Sequence, residues 1–350
     1  MWRKPLPSDE LHLISLLIKD VTLRVKCDNH IGRKFVTNVG SPQGDCASPL
    51  LFILELSEAL KESKRLIQSF SNPNLNRQIN FDHAYIKDRD NLNKEKHFSI
   101  GQEYADDCSI GSTNIELIET FERTVPGQLE QFSLLVNRDK TEKLTIKPNG
   151  EDSWGDTVFL GSKLDTNKDI NRRKGLASAA WNKYQKLLTS KNLPLLTRVR
   201  YFETFVSSIF LHQCGIWTLT EKLEKAVNVF QRLFLRRVVG ICYPKKISNK
   251  ELYKITKQTP WSELCRKRRL TLFGHTLRLP EGAPSKEALF ECIKPVKRPV
   301  GGQKQTLIKL IRKDLNSVNK TLEEAIQTAQ NKRQYKALVE SVMSYTRETQ

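Results

Sequence analysis

Glu103-Tyr104-Ala105-Asp106-Asp107-Cys108-Ser109-Ile110 is the stretch on which the fold turns. Apolar residues alternate into it at Phe98 and Ile100 and leave it at Ile110, the pattern of a β-hairpin with Asp106 and Asp107 at the bend. Adjacent carboxylates repel each other and are costly to desolvate. A chain keeps such a pair either in open solvent or beside a cation that neutralises it. Taken alone, Ala-Asp-Asp is a common tripeptide and reads first as an ordinary solvated turn, with a metal site as the lesser alternative.

Upstream lies a second punctuated stretch, Gly40-Ser41-Pro42-Gln43-Gly44-Asp45-Cys46-Ala47-Ser48-Pro49. Gly40, Pro42 and Gly44 make a stiff, sharply turned loop that lets backbone approach a ligand. Ser48 suits a helix cap and Pro49 the first helical position. Leu50, Phe52, Ile53, Leu54, Leu56, Ala59 and Leu60 then supply the apolar residues that bury the helix.

A Gly-x-Pro-Gln-Gly loop opening a buried helix, followed by Tyr-Ala-Asp-Asp in a hairpin, resembles the reverse transcriptases of non-LTR (LINE-type) retrotransposons. The resemblance runs from about residue 30 to the end of the chain. It implies an RNA-directed DNA polymerase with RNA and DNA as template and primer. Asp106 and Asp107 would then be the catalytic carboxylates and ligands of Mg²⁺ (or Mn²⁺). Gly40, Pro42, Gln43 and Gly44 would shape the nucleotide and template pocket, and Tyr104 would support the primer end. In Val136-Asn137-Arg138-Asp139-Lys140-Thr141, Lys140 would lie near the departing phosphates, with a solvated lysine as the equal alternative. Retroviral-type enzymes and group II intron maturases share parts of this pattern; the long basic C-terminus favours the LINE type.

The family's first metal-binding Asp lies on a strand well before the loop. Only 39 residues precede Gly40, and Asp9, Glu10, Asp20 and Asp28 lack that context. The expectation is a truncated, inactive copy without the fingers and the first catalytic strand. The alternative is a non-enzymatic nucleic-acid-binding remnant whose basic half is the working part. A purely structural protein is disfavoured by the charge.

That charge is uneven. Of the +19 formal net charge on 350 residues, residues 1–158 carry −4, residues 159–220 carry +7 and residues 221–350 carry +16. A basic excess of this size selects an acidic partner, with nucleic acid foremost. The same boundaries give the expected domains: a partial palm over 1–158, a thumb-like helical region over 159–220, and a basic helical region over 221–350. The fold class is α+β.

Shorter signals complete the expectation. Residues 21–27 and 34–39 alternate as strands, with His30 in the turn between them. Residues 114–136 have helical spacing that Pro126 should interrupt or kink. Phe159-Leu160-Gly161-Ser162 reads as a strand turn, resembling the family's primer-contacting turn. Residues 174–213 read as helices whose aromatics belong to a core. Arg266, Lys267, Arg268 and Arg269 form a cluster expected to meet phosphates. The seven cysteines contain no Cys-x-x-Cys, which argues for a reducing, intracellular setting; a zinc site drawn from His212, Cys214, Cys242, Cys265, His275 and Cys292 fits no common spacing. No run approaches the length of a membrane span.

Overall fold

A computed structural model describes residues 21–28, 30–37, 48–70, 99–112, 115–145, 156–294 and 305–348, with isolated positions at 8, 9, 12, 15 and 46. It is α+β, mostly helical, with small antiparallel hairpins. It divides into two compact units, Met1–Thr141 and Glu142–Gln350. None of the described helices is long and apolar enough to cross a membrane.

In the first unit, β1 (Val21–Cys27) pairs antiparallel with β2 (His30–Thr37). The turn is tighter than the sequence pattern indicates, because His30 already pairs with Cys27. Asp28 takes φ 52°, which its short polar side chain tolerates. The register then shifts between Arg24 and Lys26, so that Gly32 and Arg33 face Val25 alone. Glycine fits there because a Cβ on Gly32 would stand 3.3 Å from the Val25 carbonyl oxygen.

Helix α1 (Ser48–Phe70) starts where Ser48 and Pro49 indicate. Its Leu56, Ala59 and Leu60 pack on Val125 and Leu129 of α2 (Ile115–Gln131). Between them in sequence, β3 (Ser99–Tyr104) and β4 (Asp107–Ser112) form the hairpin whose Ile110 packs at the edge of that core. Helix α2 runs through Pro126 without interruption. A mid-helix proline removes one backbone hydrogen bond and costs about 3 kcal/mol. Burial of Val125 and Leu129 beside it offsets that cost.

The second unit opens with a miniature hairpin, β5 (Val158–Phe159) and β6 (Ser162–Lys163). Leu160 and Gly161 both have positive φ, 46° and 77°, as a two-residue I′-type turn requires. Helices follow: α3 (Thr166–Leu188), capped by Asp165, and α4 (Leu195–Phe202), which continues through a π turn over Glu203–Ser207 to Phe210. A 3₁₀ turn at Cys214–Ile216 leads to α5 (Glu221–Val239), capped by Thr220 and closed by Gly240 at φ 86°. Then come α6 (Asn249–Thr256), α7 (Trp261–Leu277), α8 (Pro284–Ile293), α9 (Leu307–Asn316), α10 (Leu322–Ala329) and α11 (Lys332–Glu348).

The aromatics of α3 to α7 form one core, as their spacing indicates. Phe210 stacks on Trp261 at 4.4 Å, and Trp181 meets Phe234 at 4.9 Å. Helix α7 belongs to two cores at once. Trp261 and Cys265 enter the aromatic core, while Leu270, Phe273 and Leu277 enter a second core with α9, α10 and α11. The core containing Ile170 and Trp217 also contains Val227 and Trp261, so it runs across the 220/221 division.

Candidate functional site

Backbone geometry places the carboxylate pair at the tip of the β3–β4 hairpin. Tyr104 pairs with Asp107, leaving Ala105 and Asp106 as a two-residue turn. Ala105 adopts φ 53°, a conformation that costs an ordinary L-residue roughly 1–2 kcal/mol. Tyr104, Asp106 and Asp107 are all exposed. Exposed carboxylates are oxygen donors of the kind Mg²⁺ takes. Asp106 lies in the turn itself and Asp107 opens β4. The pair fits a weakly held, largely hydrated ion. Among the described residues, no group of three or more His, Cys, Asp or Glu is placed to hold a metal.

Lys140 ends a 3₁₀ turn over Arg138–Lys140, and its side chain is exposed. Asn137 caps that turn: its side chain accepts from the Lys140 backbone N–H at 3.3 Å, and its carbonyl accepts from Thr141 Oγ1 at 2.9 Å. Gly40, Pro42, Gln43 and Gly44 lie outside the described residues.

The Arg266–Arg269 cluster separates into different jobs. Arg269 is 1% exposed and grips Asp314 of α9 with Nε at 3.1 Å and Nη2 at 2.6 Å. Arg266 Nε lies 3.0 Å from the other oxygen of Asp314. Arg268 donates to the Leu211 carbonyl at 2.5 Å and approaches Cys214 Sγ at 3.7 Å. The expectation of phosphate contact is corrected for Arg269, which is sealed against a carboxylate; Arg266 shares that carboxylate. Lys267 is exposed, and no ion pair among the described residues involves it.

A polar cluster absent from the sequence reading pins the β5–β6 turn. Asp169 Oδ1 accepts from the Lys163 N–H and Oδ2 from Trp217 Nε1, each at 2.9 Å. Arg173 Nη2 donates to the Gly161 carbonyl, to Ser162 Oγ at 3.0 Å and to His212 Nδ1 at 2.8 Å. Arg172 also donates to the Gly161 carbonyl, at 2.8 Å, and Gln213 Nε2 to that of Leu160, at 3.0 Å. The His212 pKa falls below its ordinary value, first through desolvation and then through the Arg173 charge. The local signal was the i, i+4 spacing of Asp169 and Arg173; Ser162, His212 and Trp217 join only in three dimensions.

All seven cysteines are free thiols. Cys214 and Cys265 are buried, whereas Cys242 and Cys292 are exposed. No protein-family model, no curated protein and no solved structure matches the chain.

Proposed function

We propose that this chain derives from a reverse transcriptase of the non-LTR type and works as a nucleic-acid-binding protein. The observation that carries this is the charge partition, −4 over residues 1–158 against +7 over 159–220 and +16 over 221–350. Phosphate contacts would supply the affinity, and RNA and DNA are both partners on this reading. The Tyr-Ala-Asp-Asp hairpin supports the lineage. Asp106 and Asp107 would hold Mg²⁺ weakly, as exposed carboxylates with no third ligand group placed beside them among the described residues.

On the same reading the chain alone does not extend a primer. Two-metal catalysis fixes both ions about 3.5–4 Å apart between carboxylates. Misplacement by ~1 Å costs on the order of a hundredfold. The test is primer extension with purified protein, Mg²⁺ or Mn²⁺ and an Asp106→Ala control, run beside a filter-binding series in salt. Log affinity should fall steeply with log salt, with no extension. A flat salt response would remove the nucleic-acid proposal. Extension that disappears in Asp106→Ala would make the chain a polymerase.

A further inference from the structure

The turn between α5 and α6 and the helix ends beside it concentrate exposed positive charge, and the most exposed aromatic residue among those described stands within it. Residues 232–257 hold eight Lys+Arg against one acid, Glu251. Most of these cations are neither buried nor neutralised. Arg237, Lys245, Lys246, Lys250, Lys254 and Lys257 are exposed, and no ion pair among the described residues involves them. Two arginines are differently occupied. Arg236 donates to the neutral Asn249 side chain at 2.7 Å, which ties the end of α5 to the start of α6 and leaves its charge uncompensated. Arg232 is only partly exposed and lies near the Tyr253 hydroxyl, which donates to Gln231 Oε1 at 3.2 Å.

The local fold fixes this surface. Gly240 closes α5 in the left-handed conformation, and the Lys245 N–H bonds to the Cys242 carbonyl at 2.9 Å. Tyr243 therefore sits inside a tight turn, yet its ring is 91% exposed, more than any other large apolar side chain described. A ring of that size left in water has no packing role. Lys245 and Lys246 follow it directly, and Lys250 and Lys254 stand one helical turn apart on α6. Such i, i+4 neighbours are about 5–6 Å apart at Cβ, a separation that suits successive phosphates on one strand.

We propose that this α5–α6 corner is a binding site for single-stranded nucleic acid, with Lys245, Lys246, Lys250 and Lys254 on the phosphates and Tyr243 stacked on an unpaired base. The site rests on the nucleic-acid reading above and gives it an address. Duplex is disfavoured because its bases are already stacked on one another and offer no free face. A lipid surface would take up the cations, but the exposed apolar residues of this region, Leu233, Tyr243 and Ile255, fall one each on α5, the turn and α6, rather than forming the single apolar stripe that an interfacial helix inserts. Stacking on an exposed aromatic tolerates any base, so the site reads strandedness rather than sequence.

The test uses the full chain and fluorescence anisotropy with labelled oligo(dT), a duplex of the same length, and vesicles containing phosphatidylserine. The variant Lys245→Ala/Lys246→Ala/Lys250→Ala/Lys254→Ala should lose at least roughly tenfold in single-strand affinity, and its salt slope should shrink by about 3, at ~0.7 per phosphate contact. Lys320→Ala/Lys332→Ala/Arg333→Ala/Lys336→Ala removes equal charge elsewhere and should lose far less. Tyr243→Ala should lose roughly fivefold or more on the single strand and nothing on the duplex, while Tyr243→Phe keeps parental affinity. Equal losses in the two charge variants would overturn the site and leave the nucleic-acid reading standing. A neutral Tyr243→Ala would overturn the stacking assignment, and tighter binding to vesicles than to oligo(dT) would replace nucleic acid by lipid. Absence of binding by the parent chain would overturn both proposals. Unchanged circular dichroism and melting temperature in each variant exclude misfolding as the cause of a loss.

Discussion

Asp314 shows what a single buried charge does in this molecule. It is 5% exposed and answers Arg269, which is 1% exposed, and Arg266 beside it. Removing one partner of a buried pair leaves the other charge uncompensated in low dielectric, at roughly 3–5 kcal/mol. Asp314→Ala should therefore lower stability in chemical denaturation by about that much, and Arg269→Met/Asp314→Leu should recover most of it. A loss under ~1 kcal/mol, the range of an exposed pair, would show that the pair is solvated. His212 gives a second residue-scale expectation. Its Nδ1 accepts from Arg173, so protonation there would oppose that bond and place two cations together. A histidine whose folded pKa is lowered contributes stability above its unfolded pKa and loses it as pH falls through the folded value. Melting temperature should fall on acidification below about pH 6.5, and His212→Gln should flatten that part of the profile. The arginine run at 266–269 was legible as charge. Which member is sealed depends on Asp314, which approaches Arg269 only through the packing of α9 on α7.

At the scale of elements, α7 and α11 cross in close contact at Gly274. A Cβ on Gly274 would stand 2.1 Å from Tyr335 Cε1. The ring has little room to withdraw, since Tyr335 is 3% exposed and its hydroxyl donates to the Leu270 carbonyl at 2.9 Å. Overpacking typically costs about 1–3 kcal/mol, and Gly274→Ala should reach the upper end because backbone separation is the remaining relief. Tyr335→Leu in the same chain should return part of the loss; additive losses in the double variant would show that the two positions do not couple. Helices within residues 174–213 were legible because their apolar residues recur at helical spacing toward one core, although α3 starts earlier, at Thr166. Helix α7 was harder to read, since Trp261 and Cys265 serve one core and Leu270 and Phe273 another. Burial on several faces erases the amphipathic stripe by which a helix is recognised. Pro126 misled in the other direction: local backbone chemistry argues for a break, and packing of α2 on α1 overrides it.

For the whole molecule, the two units differ in how much apolar surface they bury. Among the described residues, the first unit has a core of five buried side chains, Leu56, Ala59, Leu60, Val125 and Leu129. It also leaves Val25, Ile31, Phe35 and Val36 of its first hairpin and Leu50, Ile53 and Leu54 of α1 exposed. Two-stranded hairpins are marginal in water without a partner surface. The second unit carries both large cores, joined through α7. The boundary between the units falls at 141/142, whereas the charge partition was drawn at 158/159. Asp156 bears on the difference: it pairs with Lys163 of β6 at 3.1 Å and Lys168 of α3 at 2.6 Å, which ties that residue to the second unit. Such pairing is set by folding and leaves no mark in composition. Residues 142–350 expressed alone should unfold in one cooperative transition, with fluorescence and circular dichroism melting together. Residues 1–141 alone should be poorly soluble, melt without a sharp transition and bind a hydrophobic dye, since the exposed apolar residues remain uncovered. If 1–141 melts sharply and stays monomeric at high concentration, its small core suffices and the assignment of stability to the helical unit fails. If 142–350 instead melts in two separated steps, α7 does not couple the cores, and Gly274→Ala should then shift only the step belonging to Leu270, Phe273 and Tyr335.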